Sequence, residues 1–388
     1  MVSEKGGKMK KAIVVFILLV LTVSLFAAAQ NEKKDKELAT VRICCHTNEG
    51  ATLTATAYEQ GIFEKHGINA VLTLVDSGPP EIAALRADNR DLDIGYIGPG
   101  VSWNAIDETG NQLSWVFLDY LGNSEQLLAK KGVFTDADND GSYGIDEVYE
   151  GLKGQVVYME VGTTPGSWFW NLLKTLNEGR ADADKLWVEC EVAAYLAGYT
   201  APNSNPANKV TVVNYANANI AAGMATSDST SVKVTVCFSP VTTTILKTNS
   251  AVEKIADASM LPAAYVSPGI WIASDQWLEE NPEVAQHFID ALYEAACYRT
   301  LHVAESIAAA EALCNKAAGS FSQEAIRSIS MEEYQTWFAD KSSVGYQYLR
   351  ALYDSKVGNI PAGTNPKPFE KAFKDSYMLK SIENITSL

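Results

Sequence analysis

The chain is short of the residues that carry covalent chemistry, and short of positive charge. Four histidines and six cysteines are spread over 388 residues, and no two cysteines form a C-x-x-C pair, which removes the usual zinc and thioredoxin-type sites. No G-x-S-x-G, H-E-x-x-H or phosphate-loop motif occurs, so the signatures of serine hydrolases, zinc proteases and nucleoside triphosphatases are missing. After the first thirty residues no apolar run is long enough to span a bilayer. Lys and Arg number 31 against 47 Asp and Glu, a net charge of −16. A surface this acidic repels a phosphate backbone and argues against a nucleic-acid partner. What remains is ordinary for a soluble globular protein: 47% hydrophobic and 20% charged residues, in a chain long enough for two lobes with sizeable cores.

The first residues stand apart. Lys8, Lys10 and Lys11 precede an apolar run from Ala12 to Leu21, and Phe26-Ala27-Ala28-Ala29-Gln30 leads into a charged stretch beginning at Asn31. Basic, apolar, then small is the order of a secretory signal, here with cleavage after Ala29; an uncleaved anchor is the competing reading. Residues 1–29 are therefore expected to be a signal peptide and 30–38 a linker, with the mature chain exported to the periplasm or cell surface. Taking the four lysines and one glutamate of residues 1–29 off the total leaves −19. Cys44, Cys45, Cys190, Cys237, Cys297 and Cys314 are expected chiefly as buried thiols, although export permits disulfides.

Further along, strand and helix patterns alternate. Strands are expected over 39–45, 68–75 and 92–97, with helices over 51–60 and 80–87 between them. A second unit of the same kind starts near residue 125, with strands over 154–158, 209–213 and 232–238 and a helix beginning near Trp168. A strand over 270–273 and a helical stretch over 276–299 follow. Alternating strands and helices predict an α/β protein with parallel sheets covered by helices. Ligands of such sheets bind beyond the carboxyl ends of the strands, where the loops 46–50 and 98–100 fall.

Several phrases resemble one family. Tyr58-Glu59-Gln60-Gly61-Ile62-Phe63-Glu64-Lys65-His66-Gly67-Ile68, then Ala84-Leu85-Arg86-Ala87 through Asp91-Leu92-Asp93-Ile94-Gly95, then Gly151-Leu152-Lys153-Gly154-Gln155-Val156-Val157, then Leu278-Glu279-Glu280-Asn281-Pro282-Glu283 run in the order found in periplasmic binding proteins for taurine, sulfonates, nitrate and pyrimidine precursors. Ser239-Pro240 matches a further family position. The segment after Ala222-Gly223 departs from the pattern, with Asp228 out of phase. The resemblance implies a two-lobed, type II binding-protein fold. Each lobe would be a mainly parallel sheet flanked by helices, with two crossings between lobes and a ligand clamped in the cleft. Lobe one would comprise 39–124 and 266–388, and lobe two 125–265 with an acidic insertion at 132–150. It further implies a monomer that hands a small solute to an ABC permease and ATPase. A biosynthetic relative that makes a thiamin pyrimidine keeps an enzyme reading open, and a ligand sensor is a third. His46 and His66 are the histidines such an enzyme would call on, and His66 falls in a turn that binding proteins also use.

In that frame the candidate ligand contacts are the loops at strand ends and one helix start. Thr163, Thr164, Gly166 and Ser167 open a helix whose free N–H groups suit an anion, or else cap their own helix. Thr47, Asn48 and Glu49 follow the first strand. Gly98 and Pro99 follow the third, with Trp103 beyond them as a wall or a core residue. Trp168 is the tryptophan of its helix favoured for the cleft, and Ser239 and Pro240 the hinge-side contacts. The helix start suits an anionic group and the tryptophans an aromatic or alkyl body, while the lack of arginine in these loops speaks against a strong anion.

Asp136-Ala137-Asp138-Asn139-Asp140-Gly141-Ser142-Tyr143-Gly144-Ile145-Asp146-Glu147 fits a calcium-loop pattern. Asp136, Asp138 and Asp140 on alternate positions, the Ser142 carbonyl and Glu147 are the expected ligands of a structural Ca2+. The segment before Asp136 lacks the look of an entering helix, and a solvated acidic turn is the other reading.

Overall fold

The computed structural model describes residues 38–87, 91–98, 102, 112–122, 124–196, 199–226, 231–262, 266–357 and 366–387. The expected signal peptide, nearly all of the linker, Pro99 and Trp103 lie outside these residues.

Twelve strands form two six-stranded sheets among the described residues. The first contains β1 (Ala39–His46), β2 (Ile68–Val75), β3 (Ile94–Ile97), β4 (Leu113–Gly122), β11 (Pro268–Ser274) and β12 (Ile326–Ser328), in the order β12-β4-β11-β3-β1-β2. The second contains β5 (Gln126–Lys130), β6 (Val156–Met159), β7 (Trp187–Cys190), β8 (Lys209–Asn214), β9 (Val234–Cys237) and β10 (Val252–Ala256), in the order β10-β5-β9-β6-β8-β7. The chain passes from one sheet to the other twice, between β4 and β5 and between β10 and β11.

Both sheets are mixed, each a parallel set of strands joined by antiparallel ones. In sheet one β1 and β3 are parallel, but β11 runs against both β3 and β4, and β12 against β4. In sheet two β7, β8, β6 and β9 are mutually parallel, and β5 runs against β9 and β10. The crossings explain the reversals at β5 and β11. A strand that arrives from the other lobe enters its sheet from the cleft, whereas the lobe's own strands end there. β5 and β11 are the two arriving strands, and each opposes its neighbours.

Residues 40–388 pack as one unit. Sheet two is filled by Val157, Met159, Val210, Val212, Val234 and Val236 against Trp168, Phe169 and Leu172 of the helix Thr164–Asn177. β-branched residues dominate these strands because a sheet covered on both faces favours them. Sheet one is backed by the helix Pro282–Leu301, whose Phe288 stacks on Phe63 at 5.5 Å. Under it lies a fully buried ion pair, Arg299 Nη2 to Asp119 Oδ1 at 2.6 Å. Trp271 is core, its indole N–H donating to Asp119 Oδ2 at 3.2 Å. Among the described residues no helix is long and apolar enough to cross a membrane.

Candidate functional site

A cavity of about 40 Å³ lies where the two sheets face each other. Its position follows from the strand directions. β1 ends at His46, Asn48 and Glu49; β3 ends at Gly98; β4 runs out into Ser124 and Glu125. From the other sheet, β6 leads to Thr163 and Thr164 and β9 to Phe238, while Ser267 and Pro268 open β11. Much of the lining therefore lies at or just beyond carboxyl ends of strands or at the starts of the two arriving strands, with Tyr96 and Tyr120 reaching it from within β3 and β4. A larger hollow of about 600 Å³ flanks Trp170, Lys174 and Tyr199 on lobe two, but among the described residues only one lobe lines it and no buried carboxylate faces it.

The polar groups of the smaller cavity are organised in three sets. Asn48 caps the short helix Glu49–Ala51 by accepting the Gly50 N–H at 2.8 Å, which fixes Glu49 with 2% of its surface exposed. Glu49 Oε1 accepts the Ser322 N–H at 2.8 Å and the Ser239 hydroxyl from lobe two. Burial pushes the Glu49 carboxyl up, against those two hydrogen bonds. The second set is His46 Nε2 with Glu81 Oε2 at 2.8 Å, both buried. Burial pushes Glu81 up to about 7, against the pull of His46. The third is Tyr96 and Tyr120, whose rings stack at 6.1 Å and whose hydroxyls are 2.5 Å apart. Burial raises both phenols, so they stay neutral donors and acceptors. Glu125, 4% exposed, completes the wall and accepts the Ser124 hydroxyl at 3.0 Å. No lysine or arginine lines the cavity among the described residues.

The sequence-predicted residues divide. Asn48, Glu49, Gly98, Thr163 and Thr164 line the cavity, and Ser239 reaches it through Glu49. Thr47 turns away, donating to Asp76 Oδ1 at 2.6 Å. The helix begins at Thr164, four residues before Trp168, so Trp168 falls on its inner face and is fully buried in the lobe-two core; the cleft assignment is corrected. Gly166 packs against the Val161 carbonyl, Ser167 donates to Thr164 O at 3.0 Å, and Pro240 caps the helix Val241–Thr248; none of the three lines the cavity. His66 bonds Glu294 at 2.8 Å and is likewise outside it.

Tyr96, Tyr120, Glu125 and Phe238 are not legible as ligand contacts, while His46 falls in the loop 46–50 expected at a strand end and lines the cavity. Glu125 stands in the polar run Asn123-Ser124-Glu125-Gln126, where an acid is ordinary, and the acid that stands out among apolar neighbours, Asp119, belongs to the core.

In the acidic loop, carboxylate oxygens of Asp136, Asp138 and Glu147 lie within 4.8 Å of one another. Gly141, at φ +84°, makes the sharp turn, and its N–H donates to Asp136 Oδ2 at 3.0 Å. Asp140 is turned to its own loop, accepting both the N–H and hydroxyl of Ser142 at 2.7 Å. The Asp140 N–H lowers the Asp138 carboxyl, but desolvation and repulsion from Asp140 and Glu147 leave it raised.

No catalogued protein family matches the chain. A Brucella abortus (strain 2308) protein named as a candidate binding protein is 25% identical over 262 residues, covering 66% of each chain; the match thus spans just under two thirds of that relative's length. Among solved structures, the ligand-binding component of an ABC-type import system from Staphylococcus aureus, with zinc bound, has a TM-score of 0.57 at 11% identity, covering 88% of this chain and 99% of that one. The nitrate-binding protein NrtA of Synechocystis PCC 6803 has 0.57 at 13%, covering 90% of each. The aliphatic sulphonate binding protein SsuA of Escherichia coli has 0.52 at 14%, covering 86% and 97%. The desulfurization enzyme DSZB shares the fold too, at 0.54 and 12% identity over 89% and 99%. At these identities the likeness is one of fold.

Proposed function

Given a chain with the periplasmic-binding-protein fold, we propose that it is the extracytoplasmic solute-binding component of an ABC importer, a monomer that captures one small molecule between its lobes and delivers it to a membrane permease and ATPase. The observation that carries this reading is the cavity itself: residues from both lobes line it, and Glu49 of one lobe accepts the Ser239 hydroxyl of the other. A ligand gripped from both sides stabilises the closed arrangement by its differential affinity for it. Two of the structural relatives are named for sulphonate and nitrate, and the helix start at Thr163 and Thr164 is the element that would receive such an anion. The stacked Tyr96 and Tyr120 instead favour a flat or aromatic solute, such as a pyrimidine. An enzymatic reading would have His46 and Glu81 as its acid–base pair; no cysteine lines the cavity among the described residues.

A thermal-shift screen of purified chain against taurine, alkyl sulfonates, nitrate, pyrimidines and small amines tests the reading. At least one compound is expected to raise the melting temperature without being consumed. Turnover of the compound would favour the enzyme instead, and no response across the screen would remove the main support for an importer component.

For the loop 136–147 we propose a structural calcium ion held by Asp136, Asp138, Asp140, Ser142 and Glu147. The convergence of three carboxylates supports it. A bound divalent ion would relieve their repulsion and pin the start of the helix Ile145–Leu152 to the loop before it.

A further inference from the structure

We propose that the solute is a small organic cation, an ammonium or amidinium compound, held at its charged nitrogen by Glu49 and Glu125. This rests on the solute-binding reading above and names the class of solute that the same cavity takes.

Three observations carry it. First, the ionisable oxygens of the cavity wall are acidic. Glu49 and Glu125 are 2% and 4% exposed; Glu125 accepts the Ser124 hydroxyl, and a carboxylate taken out of water as Glu49 is calls for a counter-charge or several hydrogen bonds. Among the described residues the donors to Glu49 are neutral: the Ser239 hydroxyl and the Ser322 N–H, both on one oxygen, and its own backbone N–H. The charged neighbour it feels is another acid, Glu311.

Second, the nearby basic side chains among the described residues are bonded elsewhere. His46 is bonded to Glu81. Arg299 lies behind Tyr120, 5.6 Å from its ring, yet it is taken up by Asp119 at 2.6 Å and by the Thr52 hydroxyl at 3.0 Å. A sulfonate or nitrate would enter a site with two carboxylates and no lysine or arginine among its described lining. The lobe-two helix start does not reverse this. The Thr163 hydroxyl already donates to Glu160 O at 2.7 Å, and the Gly166 N–H to Thr163 O at 3.1 Å.

Third, the remaining wall suits a cation's body. Tyr96, Tyr120 and Phe238 line it, and aromatic rings attract ammonium and guanidinium groups.

The test uses probes of similar size and different charge: guanidinium, n-propylammonium, propanesulfonate and nitrate, each titrated calorimetrically into the purified chain. Guanidinium or n-propylammonium is expected to bind. Glu49→Gln and Glu125→Gln, which keep shape and remove charge, are each expected to weaken that binding at least about 30-fold. Thermal shifts of the unaltered chain with the same four probes give the charge preference even if a variant fails to fold. Stabilisation by propanesulfonate or nitrate and not by the cations overturns the cation class while leaving the solute-binding reading intact. Cation binding that survives both substitutions overturns the assignment to Glu49 and Glu125. No binding by any probe, with no response in the wider screen, removes both.

Discussion

Gly98 at the end of β3 meets Thr164 at the start of the lobe-two helix so closely that a Cβ on residue 98 would stand 2.4 Å from the Thr164 hydroxyl oxygen. The missing side chain lets one lobe's backbone approach the other. Gly98→Val should hold the lobes apart. Small-angle scattering would then give a larger radius of gyration for the variant, and solute affinity should fall about tenfold as the closed state becomes rarer. An unchanged scattering curve would mean that Thr164 simply rotates away.

Glu81 carries a pH signature. Burial holds its carboxyl up at about 7, so the folded chain keeps a proton there that the unfolded chain gives up at lower pH. Its contribution to stability is full below the unfolded carboxylate range and is lost as pH rises towards 7. Glu81→Gln removes this loss. Its stability relative to the parent should rise by about 1–3 kcal/mol between pH 5 and pH 8, measured as the difference of urea midpoints at each pH. A constant difference would place the Glu81 pKa near its unfolded value.

The ion pair under sheet one is a different case. Arg299→Leu would leave Asp119 buried without its cation and is expected to destabilise the chain by about 3–5 kcal/mol. Adding Asp119→Leu should recover much of that, because the uncompensated charge is gone. Chemical denaturation of the two variants decides it: equal losses would show that packing, not charge, dominates the site.

Calcium should raise the melting temperature and a chelator should reverse the rise. At a hundredfold excess over the dissociation constant the gain is about 2.7 kcal/mol. Asp136→Asn with Glu147→Gln should abolish the response while leaving the metal-free chain folded. An unmodified chain indifferent to both calcium and chelator would mark the loop as a plain acidic turn.

The thiols provide a check on the packing. All six are free, five are buried, and Cys190 is half-buried. Burial raises the Cys44 and Cys45 thiols, which further slows them as nucleophiles. A thiol reagent should label at most Cys190 in the native protein and all six after unfolding. Fewer than six after unfolding, without reductant, would reveal a disulfide.

Where the sequence has a clear period or a punctuating residue, expectation and structure coincide. β2 is expected and found over Ile68–Val75. The helix with Pro79 and Pro80 in its first turn runs Gly78–Arg86, within two residues of its expected bounds. β4 is the contrasting case. Leu113–Gly122 is buried along nearly its whole length, and an apolar run without alternation gives no period to tell strand from helix. The site follows the same division. Glu49 and Thr163 stand at turns, where loop chemistry marks them. Tyr96 and Tyr120 sit inside buried strands, and only three-dimensional pairing reveals which strand ends meet across the cleft. Trp168 shows how a boundary error propagates: moving the helix start back to Thr164 rotates that residue from cleft to core.

Ser124 and Glu125 occupy the short link between β4 and β5, one of the two places where the chain passes between lobes. On the proposed reading, a solute held at Glu125 would touch the chain segment that joins the two sheets, so that capture and any movement of one sheet against the other would be a single event. A substitution at this position would then be expected to alter the rate of solute release as well as the affinity.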